Sequence, residues 1–275
     1  MKSDGKYILW TAVLAILFVF PDKLFSQWYA EAEYRFGVNK RTLSALEISQ
    51  TNVQGAIAKP YSFGGYTVSA GYTFRPDSLN IALSTGISYL NSNSGNIMGT
   101  LWPYYPAYST LKHVAVTADI GASIEYTLKS MHGSTGFTLL LPTYMKGEEL
   151  QHKTQQWNLN ETRREINYGK GPGIRFHQDF SIWSKGNKAF FAGISAGWIS
   201  ALRKSRTLIS GDMSLPVSQR ELKYLTGSQI SEKGKINDPS LSGFNADLPM
   251  ETQTYNEALS FVAIKMGLVY YLNKQ

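Results

Sequence analysis

Ala258 to Leu272, the stretch ALSFVAIKMGLVYYL, leaves little choice of secondary structure. Read at a period of two, Ala258, Ser260, Val262, Ile264, Met266, Leu268, Tyr270 and Leu272 share one face. Leu259, Phe261, Ala263, Lys265, Gly267, Val269 and Tyr271 share the other. The first face is apolar almost throughout, and the second carries a lysine in mid-strand. A tilted strand of this dyad pattern crosses a bilayer with about 9–11 residues, so the stretch reads as the closing strand of a barrel.

Seven earlier segments alternate in the same way: Trp28–Val38, Gly64–Phe74, Ile81–Leu90, Val114–Tyr126, Phe137–Met145, Ile174–Trp183 and Ala189–Leu202. Only Gln178 breaks the pattern, sitting on the apolar face of its strand. The connections alternate long and short, and those at Arg75–Ser78, Leu128–Thr135 and Ser184–Lys188 are the short ones. Asn39–Tyr61, Asn91–Lys112, Lys146–Gly173 and Arg203–Glu257 read as long loops. That order matches a barrel whose tight turns face the periplasm and whose long loops face outward. The predicted fold is therefore all-β, an eight-stranded antiparallel up-and-down transmembrane β-barrel with long extracellular loops. Low charge content, 17 % against 13 % aromatics, agrees with a chain of strands and turns.

Residues 1–26 read as a signal peptide, leaving residues 27–275 for the barrel domain. Lys2 and Lys6 precede the apolar run Tyr7–Phe20, which is shorter than the roughly 20 residues a spanning helix needs. The chain has no cysteine, which removes both disulfides and thiolate metal ligands. No phosphate-binding loop or metal-ligand spacing is present, so no cofactor, metal or nucleic-acid partner is expected.

Alternation alone does not tell a membrane barrel from a soluble one with its apolar face inside. The minor faces decide it, being made of Gly, Ser and Thr with isolated ions rather than a solvated charged surface. Glu31, Glu33, Asp119, Glu125 and Asp179 can balance Arg35, Arg175 and Lys265 there, with His113 and His177 beside them. These residues are expected to form an ion network filling a narrow lumen, the alternative being a proton or ion path through Asp119, His177 and Asp179.

In strand number, loop order, leader and aromatic last strand, Trp28 to Leu272 resembles the small eight-stranded outer-membrane β-barrel family of Gram-negative bacteria, the OmpA/OmpX-like proteins often called porin-family proteins. The resemblance implies a place in the bacterial outer membrane, in contact with its lipid and lipopolysaccharide and open to an envelope protein complex. It rests on architecture and on no specific sequence motif.

Two loop features are candidates for contact with those surroundings. Leu101–Tyr108 (LWPYYPAY) sets Trp102, Tyr104, Tyr105 and Tyr108 among prolines, a stiff and aromatic segment suited to binding. Arg203, Lys204 and Arg206 come directly after the seventh strand, where they could meet lipopolysaccharide phosphates. Acyl transfer needs a nucleophile, a base and an orienting group. His132-Gly133-Ser134 and Asp77-Ser78 fall at periplasmic turns, and His113 with Ser109 lacks an acid, which weighs against an enzyme. The expected role is a non-enzymatic outer-membrane protein that binds an envelope protein or external ligand through its loops. A lipid A-modifying enzyme and a narrow passive channel are the alternatives.

Overall fold

The computed structural model describes residues 27–40, 53–57, 61–74, 80–93, 97–101, 105–128, 131–155, 158–254 and 256–272. The expected signal peptide, residues 1–26, lies outside them. The strands are β1 (Gln27–Lys40), β2 (Val53–Ile57), β3 (Tyr61–Phe74), β4 (Asn80–Asn93), β5 (Ile97–Leu101), β6 (Tyr105–Leu128), β7 (Met131–Gln155), β8 (Asn158–Lys185), β9 (Lys188–Ser210), β10 (Glu221–Leu225), β11 (Met250–Gln253) and β12 (Asn256–Tyr271). Among the described residues no helix is long and apolar enough to cross a membrane.

Eight of these strands form a ring-like sheet, in the order β1, β3, β4, β6, β7, β8, β9, β12 and back to β1, each antiparallel to both neighbours. They contain the eight segments whose alternation the sequence displays. The register is staggered. From Arg35 one row runs through Lys265, Gly193, Asp179 and Ser134 to Glu125, and the opposite row through Gly65 and Leu90 to Ala115. Ala115 and Glu125 lie ten residues apart on one strand, so the strands tilt steeply against the ring axis, by about 40° for eight strands at ordinary spacing.

The tilt leaves the two faces unlike in the inverse of the soluble sense. Val68 and Ile87 point outward and are 64 % and 65 % exposed, with Ile194, Val262, Ile264 and Leu268 on the same face. Arg35, Asp119, Arg175 and Lys265 point inward and are buried. Gln178 faces outward, as its position in the alternation requires, and its partners come from other strands. Its amide donates to the Tyr126 hydroxyl and to the Ser134 carbonyl, and its carbonyl oxygen accepts from Thr135.

Away from the short turns the ring is uneven. β6, β7, β8 and β9 run 24, 25, 28 and 23 residues, against 14 to 16 for β1, β3, β4 and β12. The excess forms a wall widened by β5 and β2 beside β6, and by β10 and β11 beside β9. Two expectations change here. Lys146–Gly173 is not a loop but the far ends of β7 and β8, held by cross-strand pairs in which Lys146 meets Glu165 at 2.6 Å and Arg163 meets Glu148. Much of Asn91–Lys112 is likewise strand, with β5 paired to β6. The β7–β8 ladder is interrupted between the Leu140–Gly173 and Lys146–Asn167 pairs, where Pro142 and Pro172 each lack an amide donor.

The last connection is folded. It contains a helical turn α1 (Val217–Arg220) and a short helix α2 (Gly227–Lys233), whose Thr226 and Gln229 form a capping box. Asn237 organises the segment between α2 and β11. Its side-chain amide donates to the carbonyls of Asn245, Leu248 and Pro249, its side-chain oxygen accepts from Asn245 N–H, and its backbone N–H donates to Glu251 at 3.0 Å. Lys233 reaches the same Glu251 carboxylate at 2.5 Å.

Candidate functional site

The ring interior is layered. At mid-height, alternation on the ring strands brings ions and hydroxyls to one level. Glu33 on β1 accepts from Arg35 Nε at 2.8 Å and from Lys265 Nζ at 3.1 Å, and Arg175 Nη1 lies 3.5 Å from it. Arg175 also lies 3.6 Å from Asp119, and Lys265 lies 2.6 Å from Asp179, which His177 Nε2 approaches at 3.8 Å. Hydroxyls complete the layer: Ser88 and Thr117 donate to Asp119, while Thr67 and Ser88 accept from Arg35 and Thr138 from Arg175. Three carboxylates, Glu33, Asp119 and Asp179, thus meet three cations, Arg35, Arg175 and Lys265. β9 sends no ion into the layer, only the buried Ser195 opposite His177 and the Phe191 ring 5.1 Å from Lys265 Nζ. Its Gly193 stands opposite Asp179, and a Cβ there would collide with that carboxylate.

The structure therefore brings Glu33, Arg35, Asp119, Arg175, His177, Asp179 and Lys265 together. Glu31 and Glu125 lie nearer the short turns, Glu31 within the field of Lys265 and Glu125 accepting from Thr73 at 3.3 Å. The hydroxyls of Thr67, Ser88, Thr117 and Thr138 were readable from the same alternation, since each occupies a minor face, but a search for charge passes over them.

Toward the long-strand side an apolar layer covers the ions. Phe63 and Phe261 stack at 4.4 Å among Leu90, Leu111, Ala115, Leu140, Ile199 and Leu259, and the His113 imidazole is hydrogen-bonded to the Tyr168 hydroxyl at 2.8 Å beside them. His113 is thereby buried and bonded to a phenol. His132 Nδ1 bonds Thr127 rather than Ser134.

Toward the short turns the interior is open. The expectation that side chains fill the whole ring holds for one half only. Inward positions in the other half are small, Ser69, Ser84, Gly86, Ser123 and Ser134, and leave a cavity of about 460 Å³. It runs from Glu33, Thr67 and Asp119 at mid-height to Gln27, Ser184 and Tyr271 at the strand ends.

The loop candidates divide. Trp102 and Tyr104 lie outside the described residues, whereas Tyr105 and Tyr108 belong to β6, opposite Leu101 and Met98. Of the three rim cations only Lys204 is exposed. Arg203 is buried, with its guanidinium 5.9 Å from the Tyr224 ring centre, and Arg206 pairs with Glu149 at 2.5 Å. Successive strand residues point to opposite faces, so a basic run written as one patch in sequence is split between wall and interior.

No protein-family model matches the chain, and no curated protein does. Among solved structures it is similar to the crystal structure of Neisserial surface protein A (NspA), at 10 % identity over 88 % of this chain and 96 % of that chain, with a TM-score of 0.35, a loose likeness that carries no function across.

Proposed function

We propose that the chain is a non-enzymatic protein of the bacterial outer membrane, a transmembrane β-barrel that binds an envelope protein or external ligand on its long-strand side. One observation carries the membrane part: large apolar side chains cover the outside of the ring while its ions are buried within it. In water this arrangement exposes apolar surface far beyond what a soluble monomer carries, and in lipid it buries that surface and keeps every ion off the hydrocarbon.

The binding part is supported by the last connection. Met213, Leu241, Phe244 and Leu248 are exposed there, on a segment ordered around Asn237. Ordered loops on a rigid scaffold are where binding is usually built, and clustered apolar residues on them favour a protein partner. The aromatics Trp102 and Tyr104 belong to the same reading. A passive channel would need a through path, which the apolar layer and the ion layer both oppose.

Cross-linking in native outer membranes tests it. A stoichiometric partner that is lost in the Leu241→Ser/Phe244→Ser/Leu248→Ser variant, with the barrel still inserted, supports the reading. Unchanged partners in that variant exclude the last connection from the site, and altered lipid A in a deletion strain promotes an enzyme instead.

A further inference from the structure

The cavity on the short-turn side is a binding site for a small organic cation, we infer, separate from any partner on the long-strand side. Its charge is the first reason. The ion layer at its floor is balanced three against three, and Glu31 adds a further carboxylate to its wall, with Glu125 lining the same cavity. Glu31 lies within the field of Lys265, whose ammonium already faces Glu33 and Asp179. Carboxylates held in a narrow interior gain from a cation brought to them, since their own solvation is reduced.

Size and lining give the second reason. About 460 Å³ falls within the range of small-molecule sites and is many times the roughly 30 Å³ share of one water. Among the described residues no three or more carboxylates or imidazoles gather as a bound metal requires. The walls instead combine carboxylates with the rings of Tyr29 and Tyr271, a pairing that suits an ammonium or guanidinium group on an organic body, while the Phe191 ring already faces Lys265 Nζ at 5.1 Å. Unmet polar groups are the third reason. Among the groups lining the cavity, Gln27 Nε2, Asp179 Oδ1, Arg175 Nε and His177 Nδ1 have no hydrogen-bond partner, and Gln27 and Asp179 are each 8 % exposed. An amine would satisfy Asp179, and a hydroxyl or carbonyl on the same ligand would satisfy Gln27 or Arg175.

The site is tested with the full barrel in detergent micelles, so the outcome does not depend on where the protein resides or on what its loops bind. Calorimetric titration with benzylamine is expected to give saturable one-to-one binding, weakened at least tenfold by Glu31→Gln and further by Glu31→Gln/Glu125→Gln. Benzoate is expected not to bind. Equal binding of benzoate, binding of calcium in place of benzylamine, or benzylamine affinity indifferent to Glu31→Gln each overturns the inference. A second measurement reads the cavity without a ligand. The chain has no cysteine, so Ser84→Cys places a single thiol on the cavity wall. A cationic methanethiosulfonate is expected to label it at least tenfold faster than an anionic one, with the ratio collapsing in the Glu31→Gln/Glu125→Gln background. Equal rates with the carboxylates intact overturn the inference.

Discussion

Arg35 and Lys265 stand directly opposite one another on β1 and β12, two like charges in register at the ring's mid-height. Such a pair is repulsive on its own. Glu33 lies between them and accepts from both, Arg35 through Oε1 and Lys265 through Oε2. The opposition is therefore part of a buried network in which each cation is matched.

Glu33→Gln removes the shared acceptor and leaves Arg35, Arg175 and Lys265 with two carboxylates. Breaking a buried ion pair by deleting one partner costs about 3–5 kcal/mol, because the charge left behind stays desolvated. The midpoint of heat-modifiable gel mobility is expected to fall sharply, and adding Lys265→Met to this variant is expected to recover part of the loss. A midpoint equal to wild type shows that the network contributes nothing to stability.

The stacked Phe63 and Phe261 and the ions beneath them occupy the interior beyond the hollow half of the ring. Planar-bilayer recordings are expected to show no stable conductance steps. Steps of nanosiemens size would mean that the apolar layer opens, and would move the function to passive diffusion.

The ring strands were legible in the sequence because each has one face of apolar residues and one of small and ionic ones, so alternation repeats eight times. The far ends of β7 and β8 were not. They carry charge on both faces, Lys146, Glu148, Arg163 and Glu165 on one and Glu149 and Arg164 on the other, which blurs the periodic signal. What holds them is complementarity between strands, which becomes visible only when the register is known. The same limit explains Gln178, whose partners Tyr126 and Thr135 lie on other strands. The candidate ions were readable as a set, but the cavity beneath them was not, since it arises from small inward residues at one end and from the stagger of the whole ring.

Glu251 ties the last connection to pH. Burial pushes its carboxyl up, but the Lys233 ammonium and the Asn237 backbone amide outweigh this and hold it below the ordinary glutamate value of 4.5. A depressed carboxylate contributes stability that is complete above the unfolded value and is lost as pH falls through the folded one. Hydrogen exchange across residues 211–250, corrected for intrinsic rates, is expected to hold steady from pH 7 to 5 and to rise below 4.5. Glu251→Gln is expected to abolish that response, and a response that persists in the variant assigns it to another group.

Ile87, at 65 % exposure, is the residue whose substitution best separates the membrane reading from any soluble one. It lies on β4 one residue before Ser88, which bonds Arg35 and Asp119, so it sits at the level of the ion layer, which the membrane reading puts at the bilayer midplane. On a water-facing surface Ile87→Arg would change stability by no more than about 0.5 kcal/mol. On a lipid-facing surface at the bilayer midplane an arginine costs about 2–4 kcal/mol. Urea unfolding from lipid vesicles is expected to give the larger value for Ile87→Arg, and near-wild-type stability for Leu241→Arg, which is exposed on the last connection beyond the ring. Equal and small effects at both positions would place Ile87 in water, and the apolar belt around the ring would then need a protein partner rather than lipid to cover it.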